Sequence, residues 1–364
     1  MLRDSGKNWE VVELELDPPK GNELLVKWVA SGLCHSDEHL RHGDIVPRFP
    51  IVGGHEGAGI VEEVGPGVIG WEKGDHVVAS FLPACGHCRW CSTGRSNICD
   101  SGATILEGCM TDGSFRFHDN GSDVGAMCML GTFSQYGVIS TQSAVKVDKE
   151  LPLDKVCLVG CGVATGWGTA VYSAPTEVGD TIAIFGIGGI GINAVQGAKH
   201  AGATNIIAID PLANKREMAE QMGATHSVSN AEEATALAQE LTRGVGADKA
   251  LVTVDVVTPE ITEAAVNIIR KGGRVVLTAL ADPAKATVQV SGSVLTLFEK
   301  EIVGRLFGGG NPHNEIPKLL NLYTSGQLKL DELITKTYTL DQINDGYNDL
   351  IEGKNVRGVL IHEH

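Results

Sequence analysis

Long apolar runs, a surplus of positive charge and an even number of cysteines are all missing from this 364-residue chain. No stretch of about 18 or more apolar residues occurs, so no segment reads as a transmembrane helix and no membrane partner is expected. Asp and Glu outnumber Lys and Arg by 45 to 29, and the net charge of −16 has the wrong sign for gripping a phosphate backbone. A nucleic-acid partner is therefore not expected either. No basic-then-apolar leader opens the sequence, and this, with the thiol usage below, predicts a cytoplasmic protein in a reducing compartment. The 46 glycines suit an enzyme with tight turns and close backbone approaches to a ligand.

Nine cysteines are present, and four of them crowd into Cys85-Gly-His-Cys88-Arg-Trp-Cys91 and the following Cys99. This spacing leaves too little chain between neighbours for sensible disulfides. It wraps readily around one Zn²⁺ with four thiolates, so a closed structural zinc is preferred over an iron–sulfur cluster or bridges. Cys34 and Cys161 fall in a second set described below, which leaves Cys109, Cys128 and Cys157 as ordinary thiols.

Residues 9–150 hold short alternating runs cut by Gly and Pro, among them Glu23–Val29, Gly59–Val64 and His76–Phe81. That is the pattern of an irregular β domain. Trp9–Leu16 alternates as well and predicts a strand almost at once, with any earlier strand missing or very short. Near residue 160 the pattern changes. Apolar runs at Thr181–Phe185, Asn205–Asp210, Asp248–Val254 and Arg274–Leu280 alternate with helical stretches at Gly191–Ala201, Lys215–Gly223 and Glu260–Ile269. Continuous apolar strands between helices predict a parallel sheet covered on both faces. Beyond about residue 305 the mixed character returns, ending in a strand-like Arg357–Ile361. A nucleotide-binding domain is thus inserted into a β-rich domain.

Thr181–Phe185 runs into Gly186-Ile-Gly188-Gly-Ile-Gly191 and then a helical stretch, and Asp210 closes the next apolar run. A lone Gly-x-Gly-x-x-Gly is weak, but strand before, helix after and acid at the second strand's end are the required context. Gly186 allows the turn, Gly188 the approach of a pyrophosphate, and Gly191 close helix–sheet packing. Asp210 would accept ribose hydroxyls and repel a 2′-phosphate, selecting NAD over NADP. FAD could use the same fingerprint, usually near a chain start, so NAD is preferred.

Gly32-Leu-Cys34-His35-Ser36-Asp37-Glu-His39, Gly53-Gly54-His55-Glu56-Gly57 and Gly160-Cys161-Gly162 supply the second set. Cys34, His55 and Cys161 make a two-sulfur, one-nitrogen ligand set with a vacant fourth position, the arrangement of a catalytic zinc. On these motifs, the four-cysteine lobe, Cys161-Gly-Val-Ala-Thr165-Gly and the glycine fingerprint, the chain resembles the zinc-dependent medium-chain alcohol dehydrogenases over essentially its whole length. Residues 102–117 resemble the extended loop of animal-type alcohol dehydrogenases and of a bacterial nitrosoaniline-dependent, nicotinoprotein-like branch, and the phrases Trp28–His39 and Arg305–Gly310 resemble that bacterial branch, whose members can hold NAD tightly.

The resemblance implies an α/β fold: a β-rich GroES-like catalytic domain over residues 1–162 with a zinc lobe at 84–100, a Rossmann doubly wound parallel-sheet domain over 163–305, and a return to the catalytic domain over 306–364. It implies two zinc ions per chain, one catalytic and one structural, and NAD. Asp37 would orient His55, Glu56 would lie beside the metal, and Ser36 and His39 would form a proton relay ending at a surface histidine. Cofactor contacts would be His35, Thr165, Gly186, Gly188, Gly191, Asp210, Lys215 and Arg357, the last on the pyrophosphate, while Phe81 would line the substrate pocket. The expected reaction is reversible oxidation of primary or secondary alcohols to aldehydes or ketones. A homodimer or dimer of dimers would form through sheet edges near 290–305, with strands at Val288–Val290 and Glu301–Val303. The alternative is oxidation of S-(hydroxymethyl)glutathione, a formaldehyde dehydrogenase. Net acidity and the absence of a basic cluster near 102–120 argue against it.

Overall fold

In the computed structural model, which describes residues 1–279 and 287–364, the chain divides into two compact units. Residues 1–161 and 311–364 form the first and residues 162–310 the second.

Strand Glu23–Gly32 is the spine of the first unit. Leu24, Val26, Trp28 and Ala30 are fully buried, the period-two face of a strand laid on a core. It pairs antiparallel with Gly57–Val64, Tyr136–Ser140 and Arg357–Ile361. His76–Ala79, Ala144–Val147 and Ile334–Tyr338 extend the same sheet. A smaller sheet joins Glu15–Leu16, Phe117–Asp119, Ser122–Ala126 and Ile51–Val52. The expected strand over Trp9–Leu16 is present only as Glu15–Leu16. Trp9 gives its backbone N–H to, and takes a bond from, the Asn344 side chain, so it has no ladder to join.

The second unit is a parallel sheet whose order, numbered from Thr181–Phe185, is 3-2-1-4-5-6. All five residues of Thr181–Phe185 are buried, which is why that strand reads as an unbroken apolar run. The helices between strands begin at local caps: Asn230 accepts from Glu233 N–H, and Thr258 accepts from Ile261 N–H just before Pro259. The strand expected at Arg274–Leu280 is Ile269–Leu277, and Leu280 lies outside the described residues. Glu301–Gly304 is the edge strand, but Val288–Val290 is not a strand; that stretch leads into helix Gly292–Phe298, capped by Ser291.

Candidate metal centre and cofactor fingerprint

Just beyond the spine strand, Cys34 is extended (φ −124, ψ 149) and caps helix His35–His42. That helix turns Asp37 and His39 inward. Gly54 adopts a left-handed backbone (φ +87) that brings His55 and Glu56 toward the same point, and Cys161 follows a tight turn at Cys157–Gly160. The ligand atoms of Cys34, His55, Glu56 and Cys161 all lie within 4.8 Å of one another.

Asp37 is fully buried and uses both oxygens. Oδ1 accepts from Gly54 N–H at 2.7 Å, and Oδ2 lies 3.0 Å from His55 Nδ1. With Nδ1 turned to the carboxylate, the other nitrogen, Nε2, is buried and has no hydrogen-bond partner among the described residues. An orphaned imidazole nitrogen between two thiols is what a soft divalent cation fills. Burial alone would push His55 down, but Asp37 and Cys34 hold it well above the ordinary imidazole range. The hydrogen bond from Cys161 holds Cys34 well below the usual thiol value, and the same shared proton pushes Cys161 up. Thiolate character is therefore already favoured at one donor. Phe81 meets the His55 ring edge-on at 5.8 Å between centroids. Cys128 lies within electrostatic reach of these groups, but burial pushes its thiol up to about 12, and it is not one of the four converging donors.

Arg357 gains a partner that the resemblance did not imply, and His39 lies deeper than expected. Arg357 is buried, and its guanidinium pairs with the fully buried Glu56 while donating to the Leu33 carbonyl at 3.3 Å. It holds the carboxylate beside the donors. Glycine at position 32 makes room for this pair, since a Cβ there would lie 3.1 Å from Arg357 Nη2 and clash outright with the Glu56 carboxylate. His39, expected at the surface, is buried, its Nδ1 3.1 Å from Asp44. Ser36 Oγ lies 3.6 Å from Cys34 Sγ, and His35 is half-buried on the same helix. Sequence reasoning missed Tyr347, fully buried in electrostatic reach of Asp37 and Cys34, its phenol pushed well up by burial. It comes from helix Ile343–Ile351, and nothing local marks it.

In the lobe, Cys85, Cys88, Cys91 and Cys99 converge likewise. Sγ–Sγ separations of 4.0 Å for Cys85–Cys91 and 3.8 Å for Cys88–Cys99 match the edge of about 3.8 Å for a tetrahedron with Zn–S near 2.3 Å. Backbone N–H groups of Cys85, Cys88 and Cys91 point at sulfurs of the set. Such bonds, from Cys91 first, draw the Cys88 thiol down to about 6, whereas burial pushes Cys99 up to about 11. All nine cysteines are free of disulfides.

In the second unit, Gly186 takes the left-handed turn (φ +86), and a Cβ on Gly191 would lie 2.0 Å from the Gly186 carbonyl. A Cβ on Gly188 would meet nothing within 4 Å, so the backbone there is open to a ligand. Asp210 is buried at the end of the second strand. It accepts from Ile187 N–H at 2.8 Å, which ties the acid to the fingerprint loop, and from Leu212 N–H at 3.0 Å. Lys215 is half-buried on helix Ala213–Met222, and Thr165 is buried on Gly162–Gly168.

Residues 20–149 match the alcohol dehydrogenase GroES-like domain and residues 189–325 the zinc-binding dehydrogenase family. An NDMA-dependent alcohol dehydrogenase of Amycolatopsis methanolica is 59% identical over 362 residues, covering 100% of this chain and 98% of that protein. A putative alcohol dehydrogenase D of Mycobacterium tuberculosis is also 59% identical, with the same coverage. Benzyl alcohol dehydrogenase from Acinetobacter calcoaceticus superposes with a TM-score of 0.92 at 30% identity, over 99% of this chain and 98% of that one. The chain belongs to the zinc-dependent medium-chain alcohol dehydrogenases. Within them it lies on the branch of the Amycolatopsis relative, and it is an oxidoreductase that interconverts alcohols with aldehydes or ketones.

Proposed function

We propose that this enzyme works with two zinc ions per chain and with NAD as hydride acceptor. The observation that carries the catalytic zinc is the buried, partnerless Nε2 of His55 facing two thiols, with Asp37 fixing the ring from behind. A zinc ion on Cys34, His55 and Cys161 supplies a fixed charge that eases deprotonation of an alcohol, and NAD supplies the redox step. The chain's own residues do the rest. Asp37 orients the imidazole. Arg357 keeps Glu56 beside the donors yet neutralised, so that the set does not gather excess negative charge. Ser36, next to Cys34, takes up the substrate proton, and His39 carries it outward.

Asp210, committed to the fingerprint loop, disfavours a 2′-phosphate and supports NAD over NADP. The name of the Amycolatopsis relative supports a tightly held cofactor reoxidised by a nitrosoaniline in place of exchange with free NAD⁺. The edge strand Glu301–Gly304 supports pairing into a homodimer or dimer of dimers. No single described helix is long and apolar enough to cross a membrane. The glutathione-dependent reading finds no anchor: between residues 102 and 120 the one arginine, Arg116, is buried on Glu23.

Metal and nucleotide analysis of the purified protein tests this reading. About two zinc and one NAD per chain are expected, and Cys34→Ala should lose one zinc and at least about 10³-fold in kcat while staying folded. A Cys34→Ala protein lacking that zinc yet fully active would refute it.

A further inference from the structure

Helix His35–His42 ends at Gly43, whose left-handed backbone (φ 95) lets the N–H groups of Gly43 and Ile45 both donate to the His39 carbonyl. This turn folds Asp44 back over the helix. Asp44 Oδ2 lies 3.1 Å from His39 Nδ1 and 3.2 Å from His42 Nδ1, so one carboxylate oxygen bridges two imidazoles. Side-chain exposure rises along the three, from 6% at His39 through 20% at Asp44 to 73% at His42.

We propose that Asp44 and His42 form the outlet through which the proton released in alcohol oxidation passes from His39 to solvent. The proposal rests on the reading of His39 as a relay residue given above. Each alcohol oxidised to a carbonyl frees one proton along with the hydride. At the outlet the N–H bond at His39 Nδ1 breaks as an O–H bond forms at Asp44 Oδ2. That O–H then breaks as an N–H forms at His42 Nδ1, and the exposed His42 releases its proton to water or buffer. No electrons change hands. The hydrogen bond from His39, with His42 adding to it, keeps Asp44 below the usual carboxylate range, so the protonated acid is a passing state and not a trap. The other charged and titratable groups on this helix have their own places. Glu38 and Arg41 pair with each other, Asp37 is taken by His55, Arg41 lies over the Tyr347 ring, and His35 sits one turn back on the helix.

Steady-state oxidation measured against pH in dilute buffer tests the outlet, with Asp44→Asn, His42→Gln and His39→Gln compared. Asp44→Asn is expected to lower kcat about tenfold near neutrality, and His42→Gln about threefold, with KM for the alcohol and the melting temperature unchanged. Added imidazole buffer should restore most of the loss in both, because a mobile base replaces the missing carrier; a purely structural defect would not be rescued. If both variants keep the wild-type pH profile while His39→Gln is slow, the proton leaves His39 by another way and the outlet is wrong. If His39→Gln is itself unimpaired, the relay reading fails and takes the outlet with it.

Discussion

Asp37 carries more of the candidate metal site than its absence from the converging donors would suggest. Two donors, Gly54 N–H and His55 Nδ1–H, need two acceptors, and only a carboxylate offers both. An amide of the same shape provides one oxygen and one NH₂. It therefore either repels Gly54 or forces the imidazole proton onto Nε2, where a metal needs the lone pair. Asp37→Asn is expected to weaken zinc binding at this site, or turnover, by about 10–100-fold. Competition against a chromophoric chelator would show it, and unchanged affinity would mean that the carboxylate does not set the tautomer.

The four-cysteine lobe behaves differently, as an element made almost entirely of sulfur and turns. Its helix Arg89–Ser92 is a single turn with no buried residue, so no apolar core holds it closed. On the proposed reading its order would come from a bound metal, whose binding energy is folding energy for such a segment. On the proposed two-zinc reading, Cys99→Ser should lower the zinc content by about one ion per chain and make residues 84–100 at least roughly tenfold easier to nick by protease, as expected for a locally unfolded segment. Turnover per remaining zinc should change little. Because all four ligands fall within one short stretch, this site was legible from spacing alone. The other site was legible only as scattered motifs. Gly186–Gly191 falls between these cases: its strand, turn and helix are contiguous, so its geometry follows its sequence closely.

For the molecule as a whole, acid stability follows from groups buried in one protonation state. Burial of His362 holds its imidazole down at about 4, against an ordinary value of 6.5. The folded chain thus keeps it neutral while the unfolded chain protonates it below about 6.5. Its contribution is complete above that value, falls as the pH drops through the window, and is gone once the pH passes below about 4, a total on the order of 3 kcal/mol. Asp349, held below the carboxylate range by Lys336, loses its share only at lower pH. Denaturant unfolding at pH 7 and 4.5 should show this slope, and His362→Phe should flatten it; an unaltered slope would place the sensitivity elsewhere. The amino-acid sequence by itself determined the four-cysteine cluster, the dinucleotide turn, the alternation of the doubly wound sheet and the three residues Cys34, His55 and Cys161 whose donor atoms converge, because each is written in local spacing or in the chemistry of the residue type. Only the tertiary structure decided that Arg357 closes on Glu56 across a sequence separation of 301 residues, that Tyr347 is buried near Asp37, and that His39 is enclosed and handed to Asp44. Those pairings depend on which buried charge finds which partner once water is excluded, and no local pattern encodes that choice.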